Sequence, residues 1–309
     1  LKIKNISQLI SPNEFFDALP KIQYFSDEPH ANLSAVPLYF LSKLAAKDVK
    51  VALSGEGADE FFGGYLSYSE SSIASTYRKF FPLPLRKLFK RLAKKFPNIR
   101  GSHFLIKNGE NLEDSYIGQA FIMDNDEANT ILSEKYKSNR TFQDITKPIF
   151  NKVKDKNDII KKMYLDLHLW LPNDILLKAD KMTMANSLEL RVPYLDIVLF
   201  NVAKTLKPEL LVYHGVTKFA FRKCAMNKLP EEWSKRKKIG FMVPFSNWIK
   251  EEKYYNKVRD LFNEDFVSEF FNKTLLLNIL KQHYEQKKNY GRKIYTIYSF
   301  LIWYKEYFL

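Results

Sequence analysis

The sequence has one cysteine, Cys224, among 309 residues. An internal disulfide is therefore excluded, and the chain suits a reducing compartment. No apolar run is long enough to cross a bilayer, and no cationic-then-apolar signal segment opens the chain. There is no internal repeat and no low-complexity tract. GxGxxG is absent, and so is a P-loop with its lysine, so the commonest phosphate-binding fingerprints do not apply. His30, His168 and His214 share no metal-ligand spacing, and no zinc site is expected. The first residue is Leu1 and not methionine. The expectation is a cytoplasmic protein whose amino end was cut away or not included.

The composition is that of a folded globular protein, with 46% hydrophobic and 27% charged residues, enough for one large or two modest domains. The net charge of +14 raises nucleic-acid binding as a function. Much of the excess, however, lies in 77–101, "YRKFFPLPLRKLFKRLAKKFPNIRG", which has nine basic residues and no acid. Leu85, Leu88, Phe89, Leu92 and Phe96 recur there at helical spacing. The favoured reading is a surface helix packed on the body by that apolar stripe. A docking surface for RNA, lipid or an acidic partner is the alternative. No RNA-binding signature supports nucleic acid.

Along the chain, "SPNEFFDALPKI" (11–22) reads as cap, short helix and a stop at Pro20. Residues 34–48 are a helix and "VKVAL" (49–53) a buried strand. A glycine turn and another helix follow, which argues for an α/β unit with a parallel sheet. From about 110 onward the pattern is almost wholly helical. "NDIIKKMYLDLHLWLPNDILLKADKMTMANSLEL" predicts two helices separated near Pro172, and "TIYSFLIWYKEYF" predicts a helix docked in the core. The division by pattern is 1–70 (α/β), 71–150 (helical, basic) and 151–309 (helical).

The segment most suggestive of chemistry is "VALSGEGADEFFGGY". Ligands of open parallel sheets bind at the carboxyl ends of strands, where Ser54, Gly55, Glu56 and Gly57 sit. Ser54 offers a hydroxyl, and Gly55 and Gly57 let backbone amides approach a ligand. Acids beside a nucleotide require a cation between them. Asp59 and Glu60 are thus candidate Mg²⁺ ligands, and Glu56 a candidate base or orienting acceptor. The alternative is that these acids occupy a helix's first turn, where negative charge suits the dipole. Residue pattern leaves both readings open.

"LSGEGADEFFGGY" resembles the signature of the synthetase domain of glutamine-dependent asparagine synthetases. "FFDALPKIQYFSDEP", "LLKADKMTMANSLELRVPYLD" and "TKFAFRKCAMNKLPEEWSKRKKIGFMVPFSNWI" match the same family in the same order, over residues 15–249. The resemblance implies an ATP-pyrophosphatase (adenine nucleotide alpha-hydrolase) type of parallel sheet followed by a mostly helical portion. It implies ATP-dependent activation of the aspartate side chain as an adenylate, release of pyrophosphate, and attack by glutamine-derived ammonia. On that analogy Ser54, Gly55 and Gly57 line the ATP, Glu56 governs the adenylate, Asp59 holds Mg²⁺, and Lys238 of "KRKKIGF" faces the phosphates. Lys235, Arg236 and Lys237 would be surface residues.

The family's "SGGxDS" loop and its glutaminase domain with a terminal cysteine nucleophile are not in this sequence. Cys224 lies in a predicted helix and cannot stand in for that cysteine. The chain resembles a carboxy-terminal portion of the synthetase and is expected to be inactive alone. Asn32 stands where many relatives have an acid. If it lines the acceptor pocket, the acceptor would shift towards another carboxylate, as in amidotransferases of cell-surface polysaccharide synthesis. A non-catalytic binding module is the third reading, against which Glu56, Asp59 and Lys238 together argue. Glu189, Arg191 and Asp196 are expected in an internal ion network, Asp180 and Lys181 near substrate or each other, and Met182 and Met184 in the core. Expected partners are ATP, aspartate and ammonia, with a homodimer as the candidate assembly.

Overall fold

The computed structural model describes residues 5–69, 72–96, 99–236, 240 and 242–309. The first helix, α1 (Pro12–Ser26), begins where expected: Ser11 and Glu14 form a reciprocal capping box, with Pro12 in the first turn. Pro20 does not stop it. An interior proline costs about 3 kcal/mol. Phe15, Phe16, Leu19 and Ile22 are all at most 2% exposed, and each such burial contributes about 1.5–3 kcal/mol. Tertiary packing therefore carries the helix through the proline.

Helix α2 (Ala35–Ala45) packs beside α1, which in turn packs along the carboxy-terminal helix Gly291–Phe308. That last helix docks as the sequence predicts, burying Ile294, Tyr295, Tyr298 and Leu301 in the main core. Phe16 stacks on Tyr254 at 4.9 Å, and Phe245 meets Tyr295 edge-on at 5.0 Å. Aromatic residues make up 15% of the chain, and many of them pack here.

The sheet is small. Strand β1 (Val51–Leu53) pairs in parallel with β2 (Glu189–Arg191), in the register Val51 to Glu189 and Leu53 to Arg191. The sequence pattern ran a helix through Leu190; the helix Leu177–Met184 ends earlier, and the chain returns as a strand. β1 is not the buried strand expected of a parallel sheet. Val51 is 50% and Leu53 76% exposed. With two strands, only the face carrying Ala52 and Leu190 is half-covered. Glu189 and Arg191 pair at 2.6 Å on the exposed face, so they form a surface ion pair and no internal network. Asp196 instead caps the helix Ile197–Ala203, accepting from the Val198 and Leu199 amides.

Helices Asp158–His168 and Leu177–Met184 flank Pro172 as predicted, joined by a π-helical turn, Leu171–Leu176. Met182 is in the core, but Met184 is 55% exposed. Lys181 bonds to Asp27, away from Asp180.

Downstream of β1 come α3 (Ala58–Phe62), α4 (Ser72–Phe80), α5 (Leu83–Lys95) and α6 (Ser102–Asn108). The basic segment is helical, but only part of the apolar stripe of α5 packs: Leu85 and Phe89 are half-buried, with Phe89 against Phe81 at 5.8 Å. Its buried residues are Arg86 and Ala93. Arg86 donates to the Asn108 and Glu110 carbonyls and to Asn111 Oδ1, and Lys90 pairs with Glu110 at 2.6 Å. A fixed guanidinium that satisfies three acceptors wins the inward position, and Leu88, Leu92 and Phe96 are left 48–57% exposed.

Candidate functional site

The site grows from the end of β1. The Ser54 amide donates to the Arg191 carbonyl at 2.9 Å, carrying the β1–β2 ladder one residue past the strand. The Ser54 hydroxyl accepts from the Glu56 amide at 3.3 Å and turns the chain. Gly57 caps α3 with φ +87°, a conformation L side chains rarely adopt. A Cβ there would lie 2.2 Å from Leu195 Cδ2. Gly55 differs: a Cβ would meet only Tyr194, at 3.9 Å. The chain's own packing demands Gly57 but leaves Gly55 exposed and open to approach.

Asp59 and Glu60 do occupy the first turn of α3. Successive helical side chains point about 100° apart, so they face different surroundings. Glu60 is 1% exposed and accepts from Tyr65 Oη, which in turn accepts from Trp170 Nε1 at 2.9 Å. Burial raises the Glu60 pKa, opposed by the Tyr65 hydrogen bond. This geometry turns Glu60 inward, away from any metal role. Asp59 is half-buried and pairs with Lys218 at 3.1 Å. Gly64 makes room for that pair, since a Cβ would fall 1.8 Å from Asp59 Oδ1 and 2.4 Å from Lys218 Cε.

The pair opens onto a cleft of about 360 Å³ whose walls include Asp59, Gly64, Lys218, Phe221, Arg222 and Trp233. Lys218, at φ 54°, leads into the helix Phe219–Met226, which carries the exposed Cys224. One turn on, Arg222 donates to the carbonyls of Thr217, Ser234 and Arg236 at 2.8–2.9 Å. It thereby ties this helix to the start of "KRKKIGF". Lys237 and Lys238 lie outside the described residues, as does Phe241. Of the predicted site residues, Asp59 lines the cleft, while Ser54, Gly55 and Glu56 sit at the strand end and Gly57 is buried beneath them.

Asn32 is taken up internally. Its amide donates to Asp174, and its oxygen accepts from the Ser34 amide and hydroxyl at 3.0 and 2.7 Å. Lys178 donates to Ser34 Oγ at 3.0 Å. A carboxylate at position 32 would face Asp174 directly, which gives the asparagine a structural reason. His30 is buried beside this group, and burial lowers its pKa.

Sequence reasoning missed a second buried acid. Asp166 is fully buried and accepts from Tyr68 Oη, Tyr116 Oη and Gln119 Nε2 at 2.6–2.8 Å. Burial raises its pKa against those donors. The three donors are scattered over the preceding hundred residues, and no local pattern could have linked them. Among the described residues, no three His, Cys, Asp or Glu side chains converge to hold a metal.

The family model described as asparagine synthase matches residues 1–305. The chain is 43% identical over 304 residues to asparagine synthetase [glutamine-hydrolyzing] 1 of Bacillus subtilis, covering 98% of this chain and 48% of that protein. It is 33% identical over 301 residues to a putative asparagine synthetase [glutamine-hydrolyzing] of Mycobacterium bovis, covering 97% and 46%. A shorter match, 37% over 67 residues, joins it to asparagine synthetase [glutamine-hydrolyzing] 1 of Saccharomyces cerevisiae, covering 21% of this chain and 12% of that protein. The chain spans about half the length of the first two relatives. A match of this extent, joined to the signature loop at the end of a parallel strand, shows that the chain belongs to the asparagine synthase family.

Proposed function

We propose that the full-length protein is an ATP-dependent amidoligase that makes asparagine from aspartate and glutamine-derived ammonia in the cytoplasm. The parallel pair β1–β2 would belong to a sheet of the ATP-pyrophosphatase type. The observation that carries the reading is the open backbone at Gly55, four residues before Asp59, which lines a cleft with Lys218. A nucleotide needs close backbone approach, and its departing pyrophosphate needs positive charge aimed at it.

In this reading Ser54 and Gly55 bind ATP and Gly57 holds the turn that presents them. Glu56 orients the attacked carboxylate or the incoming ammonia, and Lys238 faces the phosphates. Asp59 fits a magnesium ligand: a half-buried hard oxygen facing the cleft, of the kind magnesium takes once or twice while leaving other positions to phosphate and water. When bound, magnesium would neutralise charge on the pyrophosphate. Lys218 pairs with the Asp59 carboxylate and would have to yield it to the ion.

The test is pyrophosphate release from ATP by the full-length protein, with aspartate and glutamine supplied. Glu56→Gln should abolish aspartate-dependent release while glutaminase activity persists. Near-normal asparagine output from the variant would reduce Glu56 to a turn residue. Release that responds to another carboxylate and not to aspartate would transfer the reading to an amidotransferase of different acceptor. No release with any carboxylate would leave a binding module.

A further inference from the structure

Helix α5 presents two parallel rows to solvent. Leu88, Leu92 and Phe96, at steps of four, form an apolar row with exposures of 49%, 48% and 57%. Lys87, Arg91 and Lys95, also at steps of four, run alongside it, all exposed. Residues four apart lie nearly one above the other on a helix, so the rows adjoin for about 12 Å along its carboxy-terminal two thirds, up to the capping residue Phe96. None of the three cations takes an ion pair among the described residues. The helix is held from behind by Arg86 and Ala93, so neither row is needed for its packing. No acid occurs anywhere in 77–101.

From this we infer that α5 docks the protein on an anionic membrane surface, lying in the plane of the interface. An apolar row sinks into the headgroup–acyl boundary while the adjacent cations meet anionic headgroups, which is the chemistry of interfacial helices. A nucleic acid would use the cations but leave the two leucines without a partner, since single-stranded recognition stacks bases on aromatic faces. The surface is distinct from the Asp59 cleft, and the inference stands whether or not the proposed activity does. No helix among the described residues can span a membrane, so attachment is peripheral and reversible.

The experiment is co-sedimentation of the full-length protein with vesicles of phosphatidylglycerol and phosphatidylcholine, against vesicles of phosphatidylcholine alone. Binding should be at least tenfold stronger to the anionic vesicles and should weaken with salt. Each basic side chain near such a surface is worth roughly fivefold, so Lys87→Gln/Arg91→Gln/Lys95→Gln should lose on the order of a hundredfold. Leu88→Gln/Leu92→Gln should lose binding with all charges retained. Both variants alter exposed positions, and an unchanged thermal melt would verify their folding. Full-length protein that ignores anionic vesicles would overturn the inference. So would variants that bind like the parent, equal binding to neutral vesicles, or retention of single-stranded RNA without vesicle binding.

Discussion

Gly55 and Gly57 are two residues apart in one loop, yet the structure gives them opposite reasons for existing. In Gly57→Ala the backbone keeps φ near +87°, costing about 1–2 kcal/mol for an L residue. The new methyl also lies 2.2 Å from Leu195 Cδ2 and 2.6 Å from Cγ. Leu195 packs among Phe61, Phe62 and Phe200, so its displacement is an overpacking of about 1–3 kcal/mol. The expected loss is therefore about 2–5 kcal/mol, read from urea denaturation by tryptophan fluorescence. Gly55→Ala has no positive φ and no contact closer than 3.9 Å. Its stability should match the parent's or rise by up to about 1 kcal/mol, through a stiffer unfolded chain. Pyrophosphate release by full-length Gly55→Ala should nevertheless collapse, because the methyl occupies the approach a nucleotide needs. Adding Leu195→Ala to Gly57→Ala should show a favourable coupling of about 1–3 kcal/mol, the steric part, while the φ part persists. Two results would refute the reasoning: equal destabilisation by the two glycine variants, or a fully active Gly55→Ala.

Lys238→Ala in the full-length protein should cost at least ~2 kcal/mol in kcat/KM, the scale of one preorganised electrostatic donor. Lys237→Ala should be near neutral, and equal losses would show that the basic run acts collectively. Arg222→Ala orphans three carbonyls that tie down the start of that run, so kcat should fall with stability, by about 1–3 kcal/mol in unfolding free energy. Arg222→Lys, a point charge without the planar fork, should recover only part of it. Glu60→Gln tests the buried acid through pH. Burial raises the Glu60 pKa above 4.5, so the folded state holds its proton to higher pH than the unfolded state. This group's contribution to stability is then best below pH 4.5 and falls as pH rises through the folded pKa. Glutamine still accepts from Tyr65 and cannot ionise. The variant's urea midpoint relative to the parent should improve between pH 4 and pH 7, and a constant difference would show that Glu60 is not desolvated.

The sequence by itself determined what depends on neighbours in the chain. Ser11, Pro12 and Glu14 write the start of α1 locally, because a capping box closes within four residues. An apolar, aromatic-rich run of helical length writes the carboxy-terminal helix, and the order of four long motifs writes the family. The glycine loop after a β-branched run placed Ser54, Gly55 and Glu56 at a strand end. What the sequence left open was settled by partners far along the chain. Glu60 and Asp59 are adjacent and chemically alike, but Tyr65 and Trp170 draw one inward while Lys218 holds the other at the cleft. Pro20 stays helical because the core behind it outweighs the lost hydrogen bond. Glu189–Arg191 is a strand only because β1 is there to pair with it. On α5 the hydrophobic periodicity was legible and its direction was not: full burial went to Arg86, whose fork found three acceptors near α6, and Leu88 and Leu92 were turned outward. Periodicity fixes which residues share a face; only the competing partners in three dimensions decide which face is covered.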